Sequence, residues 1–197
     1  VNPPMDSIYT DTMALEYLTI NNNIRAIILF PSINRSKLNK CLDLIEQYSY
    51  IYYRKDIKLN DHGLSNLIKE LYRGEEWIGG IFPKGMNPGG KYKYCKGDGN
   101  TILLLVEMND NNKCIKLKKK CREIFNIGNH SIHMTNNNKE TFRVGSSLLN
   151  ENSVHYLNNG LNILSDKTEK LLIKYFNTIE HFKSEDYCLT GSLIMEM

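Results

Sequence analysis

This sequence predicts an α+β fold, a four-stranded sheet sandwiched with helices. Three observations predict it. Short apolar or alternating runs recur at 24–30, 50–59, 101–108 and 130–134, each with the length and β-branched or aromatic content of a strand. Between them lie stretches whose apolar residues fall at helical spacing. The resulting order, β-α-β-α-β-α-β-α, is that of two βαβ units joined through a helix. This is the split βαβ, ferredoxin-like plan, in which an antiparallel or mixed sheet carries helices on one face. A doubly wound parallel sheet is the alternative arrangement of the same elements.

Residues 5–20 read as a short helix capped by Thr10 or Thr12, and Asn21–Asn23 break it. The run IRAIILF at 24–30 is apolar nearly throughout, which predicts a central strand buried on both faces, ended by Pro31. Ser36 caps a helix at 37–48 whose Leu38, Cys41, Leu42 and Ile45 share one face. YIYYRKDIKL at 50–59 alternates as the second strand. Asn60 or Asp61 then caps a helix with Leu64, Leu67, Ile68 and Leu71 inward, stopped by Gly74.

The glycine-rich connection at 74–100 is long for a compact domain and suits a functional or mobile loop. Trp77 is expected to anchor its base in the core. Lys84, Lys91 or Lys93 are placed to reach an anion. TILLLVEM at 101–108 is the third strand, followed by a basic helix at about 114–126. HSIHM is the fourth strand, TNNN a turn and KETFRVGSSLLN a helix. NSVHYL fits a further short strand or helical turn. An additional C-terminal helix is expected at 166–182, capped by Asp166. The domain reading is a 1–23 extension or linker, an α+β domain at 24–160, and a 161–197 segment holding the C-terminal helix and the start of a possible following domain. Val1 at the start and the apolar finish CLTGSLIMEM lead to the expectation of a piece of a larger protein.

A chain of 197 residues that is 41% hydrophobic can bury one real core. A net charge of +3 is not the footprint of an obligate nucleic-acid binder. Five cysteines, odd in number and without CxxC, argue against a disulfide scaffold or zinc site and fit a reducing, cytoplasmic setting. No apolar run approaches the roughly 18–20 residues of a membrane span.

The chemistry-bearing stretch is 121–160, which holds His130, His133 and His155 among amide and hydroxyl side chains. His133, at a strand end, is the candidate catalytic residue. At neutral pH an imidazole can serve as nucleophile, general base or donor to phosphate. Thr135, two residues on, would share its side of a continuing strand and orient a ring nitrogen or a phosphate oxygen. Lys119 and Arg122 of the basic helix are the cations expected at a phosphate. Tyr72, His130 and Asn136 complete the candidate ligand-binding set. His130 and His133 lack the HxH or HxxxH spacing of a metal pair, so no metal ligands are expected.

Residues 24–150 resemble nucleoside diphosphate kinases in element order. The family's catalytic histidine, at the end of a strand and followed by Gly-Ser-Asp and a helix, falls on His133-Met134-Thr135-Asn136 here. Its tyrosine near the bound phosphates falls on Tyr72. The family lysine at the end of the first strand is replaced by Phe30-Pro31-Ser32, its asparagine by His130, and its helix glutamate falls on Val144. Residues 186–195, DYCLTGSLIM, resemble the opening of a nucleotidyltransferase domain, where a Gly-Ser backbone holds nucleotide phosphates. These resemblances imply a nucleotide- or sugar-nucleotide-phosphate-binding domain of a larger phosphotransfer or nucleotidyltransferase protein. Mg2+ would be the cofactor, arriving with the nucleotide. The expected partners are a nucleotide or phosphorylated small molecule and a downstream domain, with no membrane and no nucleic acid. The alternative is a non-catalytic interaction or assembly module whose histidines are structural.

Overall fold

Ile24–Leu29 form β1, and every one of its residues is buried. In the computed structural model, which describes residues 8–80, 88–160 and 170–174, β1 sits inside a sheet completed by β2 (Ile51–Ile57), β3 (Thr101–Glu107) and β4 (Ile132–Met134). The strand order is β2-β3-β1-β4, and all neighbours are antiparallel. Each crossover therefore skips one strand: β3 separates β1 from β2, and β1 separates β3 from β4. This is the split βαβ arrangement, and the doubly wound parallel sheet is excluded.

The two faces of the sheet bury separate cores. Ile24, Ala26, Ile28 and Phe30 join Leu103 and Leu105 in one, while Ile27 and Leu29 join Ile102, Leu104 and Val106 in the other. The second core is roofed by the two crossover helices, α2 (Leu38–Tyr48) and α5 (Asn111–Phe125), through Cys41, Ile45, Leu117 and Cys121. The first is roofed by α1 (Ile8–Ile20), α3 (Asp61–Leu71) and α6 (Asn138–Leu148), with Val154 and Leu157 of α7 (Glu151–Asn159) packed against it. Between β2 and β3, a short helix α4 (Lys91–Cys95) adds Cys95 to the same side.

Helices thus cover both faces, where the sequence predicted them on one. The reason is the composition of β1 and β3. Each buried Ile or Leu contributes about 1.5–3 kcal/mol relative to exposure, so neither face of such strands can be left in water.

Local chemistry sets the helix ends. Asn60 caps α3 by accepting from the Gly63 N–H at 2.7 Å. Asp110 accepts from the N–H groups of Asn112 and Lys113, which starts α5 three residues earlier than periodicity suggested. Asn137 caps α6 by accepting from the Glu140 N–H at 2.9 Å. Ser36 lies in a 3-10 turn capped by Asn34 instead of capping α2 itself. NSVHYL, expected as a strand or turn, is part of α7. Residues 170–174 are helical. The rest of the predicted 166–182 helix, and the 186–195 motif, lie outside the described residues. Among the described residues no helix is long and apolar enough to cross a membrane.

The helix in the N-terminal extension packs on the domain. Ala14 and Leu18 of α1 enter the first core. Gly145 permits this approach, since a Cβ there would lie 2.3 Å from Leu18 Cδ1. Asp11 of α1 is buried and accepts from Lys55 Nζ and from the Tyr53 hydroxyl, each at 2.5 Å. Asp11→Ala leaves the Lys55 amine buried without its counter-charge. It is expected to lower unfolding free energy by about 3 kcal/mol or more, read as a reduced urea midpoint. Replacing both residues, Asp11→Leu with Lys55→Met, is expected to recover most of that loss.

Candidate functional site

His133 is the middle residue of β4 and pairs with Ile28 of β1. The short strand is pinned at both ends. Phe30 N–H donates to Ser131 O, and Thr135 N–H donates to Ala26 O, each at 3.0 Å. The Thr135 hydroxyl accepts from Ala26 N–H at 2.9 Å and bonds the Thr141 hydroxyl at 2.7 Å. Strand alternation puts His133 on the side of Ile28, the face roofed by α3 and α6.

Two groups from that roof meet the imidazole. Tyr72, at the C-terminal end of α3, presents its ring edge-on at 5.0 Å between centroids, and Trp77 packs against Tyr72 at the same separation. Glu140, in the first turn of α6, places Oε1 2.9 Å from His133 Nε2, while its Oε2 accepts from Asn136 N–H at 2.7 Å. Sequence register had put the supporting glutamate at Val144, which is a core residue. The pattern that could have found Glu140 is Asn137-x-x-Glu140, a cap residue with a glutamate three positions on.

Burial holds the His133 pKa below the usual 6.5, against the pull of the Glu140 carboxylate and with the push of Lys118 and Lys91. For Glu140, burial acts upward but is outweighed by the hydrogen bonds from His133 and Asn136, so its carboxyl stays below the ordinary value. At neutral pH the pair is therefore an uncharged imidazole and a carboxylate. A carboxylate only accepts, so Nε2 carries the proton and Nδ1 is left with the lone pair. Chemically, Nδ1 is the nitrogen available as base or nucleophile.

Cations gather around this pair. Lys118 and Arg122 stand one turn apart on α5. Burial lowers the Lys118 amine, and the Arg122 charge lowers it further. Lys91 enters from α4, 8% exposed, with Nζ donating to Asn129 O at 2.7 Å and lying 5.1 Å above the Tyr72 ring and 5.6 Å above Phe30. Its amine is lowered by burial and, secondarily, by Arg122. Arg122 Nε is buried without a hydrogen-bond partner, as is His130 Nδ1.

The sequence-predicted residues fare differently. Tyr72, Arg122 and His133 come together. His130 stands beside them, its ring 4.8 Å from Tyr94 and its pKa lowered by burial and then by Lys91. Thr135 uses its hydroxyl to hold β1 and α6 together. Asn136 contributes its backbone N–H to Glu140, and the residue itself is exposed. Lys119 is exposed on the outer side of α5, and its neighbour Lys118 turns toward the site. The buried stripe Cys114, Leu117, Cys121 carried that information, since 118 lies four from 114 and three from 121. Trp77, expected in the core, is 45% exposed and covers Tyr72. Of the three loop lysines, Lys91 is inside, Lys93 is exposed and Lys84 lies outside the described residues.

Among the described residues no cluster of three or more His, Cys, Asp or Glu side chains converges.

The buried neutral imidazole sets a pH dependence. A group whose folded pKa lies below its unfolded 6.5 lets the unfolded chain bind the extra proton first. The stability it permits is present above pH 6.5 and is lost as pH falls toward the folded value. The urea midpoint is expected to drop on acidification from pH 7.5 to 5.5, and to drop less in His133→Gln.

Compared with known proteins, the chain matches no family model, no curated protein and no solved structure at a significant level.

Proposed function

We propose that this domain binds a nucleotide or sugar-nucleotide through its phosphates at the His133 face and serves phosphotransfer chemistry there. The observation that carries the reading is the pairing of Lys118 with Arg122 beside His133. Burial and then the Arg122 charge depress the Lys118 amine against the pull of Glu140, a carboxylate itself engaged by His133 and Asn136. Such a placement costs free energy in the unliganded protein, and a phosphate dianion removes the cost by neutralising both cations.

In this reading Arg122 and Lys118 take the phosphate oxygens and Tyr72 walls the site. His133 offers Nδ1, with Glu140 fixing the ring through Nε2. Transfer would form an Nδ1–P bond while the bridging P–O bond to the departing phosphate breaks. Mg2+, carried on the nucleotide, would share the charge of the phosphates.

One observation favours a second reading, that of a non-catalytic assembly module. His133 is only 7% exposed and already hydrogen-bonded, as a structural histidine would be.

Calorimetric titration with nucleoside di- and triphosphates, with and without Mg2+, separates the two. Binding is expected, weakened about 10- to 100-fold in Arg122→Met, the size of one lost charge-assisted hydrogen bond. Absence of heat with every phosphate ligand would leave the assembly reading standing.

A further inference from the structure

We propose that Lys91, delivered by α4 from the connection between β2 and β3, is a ligand-contacting cation of this site and takes a phosphoryl oxygen jointly with Arg122. The inference rests on the phosphate-binding reading above and adds a residue from outside the sheet and its crossover helices.

The geometry points to Lys91 in three ways. First, it is buried at 8% exposure although its helix is five residues long and neighbours Lys93 and Tyr94 face solvent. A lysine buries its ammonium only where something recovers the lost hydration. Second, what holds it is incomplete. Among the described residues its one hydrogen bond goes to a neutral acceptor, the Asn129 carbonyl, and no carboxylate pairs with it. The remaining N–H directions are met by the faces of Tyr72 and Phe30, at 5.1 and 5.6 Å. A cation over aromatic faces is stabilised by roughly 0.5–2 kcal/mol, less than a charge-assisted hydrogen bond to phosphate. Third, it approaches from the opposite element to α5. The Arg122 charge lowers the Lys91 amine, and Lys91 in turn lowers both His133 and His130. An anion between α4 and α5 would therefore be held from two sides.

The backbone is shaped for this delivery. Gly89 and Gly90 both have positive φ, at 56° and 78°, a conformation that side chains disfavour. A Cβ on Gly89 would lie 2.3 Å from Trp77 Cε3. The turn that launches α4 is thus seated on Trp77, which in turn packs on Tyr72. Ser32 N–H donates to Cys95 O at 3.0 Å, tying the other end of α4 to the exit of β1. Both ends of α4 are thus tied down, one to Trp77 and the other to the exit of β1.

The test compares two charge-neutralising variants on the same helix, Lys91→Met and Lys93→Met, titrated with inorganic pyrophosphate by calorimetry. Lys91→Met is expected to weaken binding about 10- to 100-fold, Lys93→Met to leave it unchanged, and Lys91→Arg to restore part of it. Equal binding by Lys91→Met and wild type, or equal weakening in both Met variants, would overturn the role of Lys91 while the phosphate site stood. Failure of the wild-type protein to bind pyrophosphate or any nucleotide would overturn both. A measurement on wild type needs no variant to fold: with 13C-labelled lysines, pyrophosphate is expected to raise the titration midpoint of the Lys91 amine. A midpoint that stays where it was in the presence of bound pyrophosphate would also overturn the assignment.

Discussion

β1 must be satisfied on four sides at once. It needs hydrogen-bonded neighbours along both edges and apolar cover over both faces, because all six of its residues are buried. Every larger feature follows from that constraint. The edges bring β3 and β4 in antiparallel, and the faces require two separate helical layers. Closing the first layer draws α1 into the core through Leu18 and α6 through Val144. The pins that fix β4 onto β1, from Ser131 O to Thr135 Oγ1, are the same ones that set His133 opposite Ile28.

The site is therefore a product of core architecture. His133 is placed by a three-residue strand and Glu140 by the cap of α6. Tyr72 comes from the end of α3, the Lys118–Arg122 pair from α5 and Lys91 from α4. Five elements contribute. The low polarity of the surroundings works in two directions. It keeps the imidazole neutral, and it lowers the Lys118 and Lys91 amines.

The buried Asp11–Lys55 pair uses the same physics to a different end. Here the opposite charges find each other within the chain, at 2.5 Å and with the Tyr53 hydroxyl as a further donor. It binds α1 to the edge strand β2. The contrast with Lys118 and Arg122 is instructive, since one cluster is internally neutral and the other is not.

The strands, most helices and the split βαβ order were legible because each is encoded locally, in the alternation of YIYYRKDIKL or the two-sided apolarity of IRAIILF. His133 and Arg122 were named from residue type and nearness in sequence, and Tyr72 only through the resemblance to nucleoside diphosphate kinases. What remained hidden depended on rotation about a helix axis or on packing between segments distant in sequence. Lys118 and Lys119 are adjacent in a run of lysines, and only the seating of Cys114, Leu117 and Cys121 on the sheet decides which one turns inward. Glu140 reaches His133 only because Asn137 begins α6 at that point. Lys91 reads as one basic residue in a glycine-rich loop, and its burial is visible only once α4 docks against Tyr72 and Phe30. Sequence by itself determined which segments are strands and helices and which stretch carries the histidines, since those depend on residue type and period. Tertiary structure alone decided which charges gather near His133, because that depends on how the elements pack.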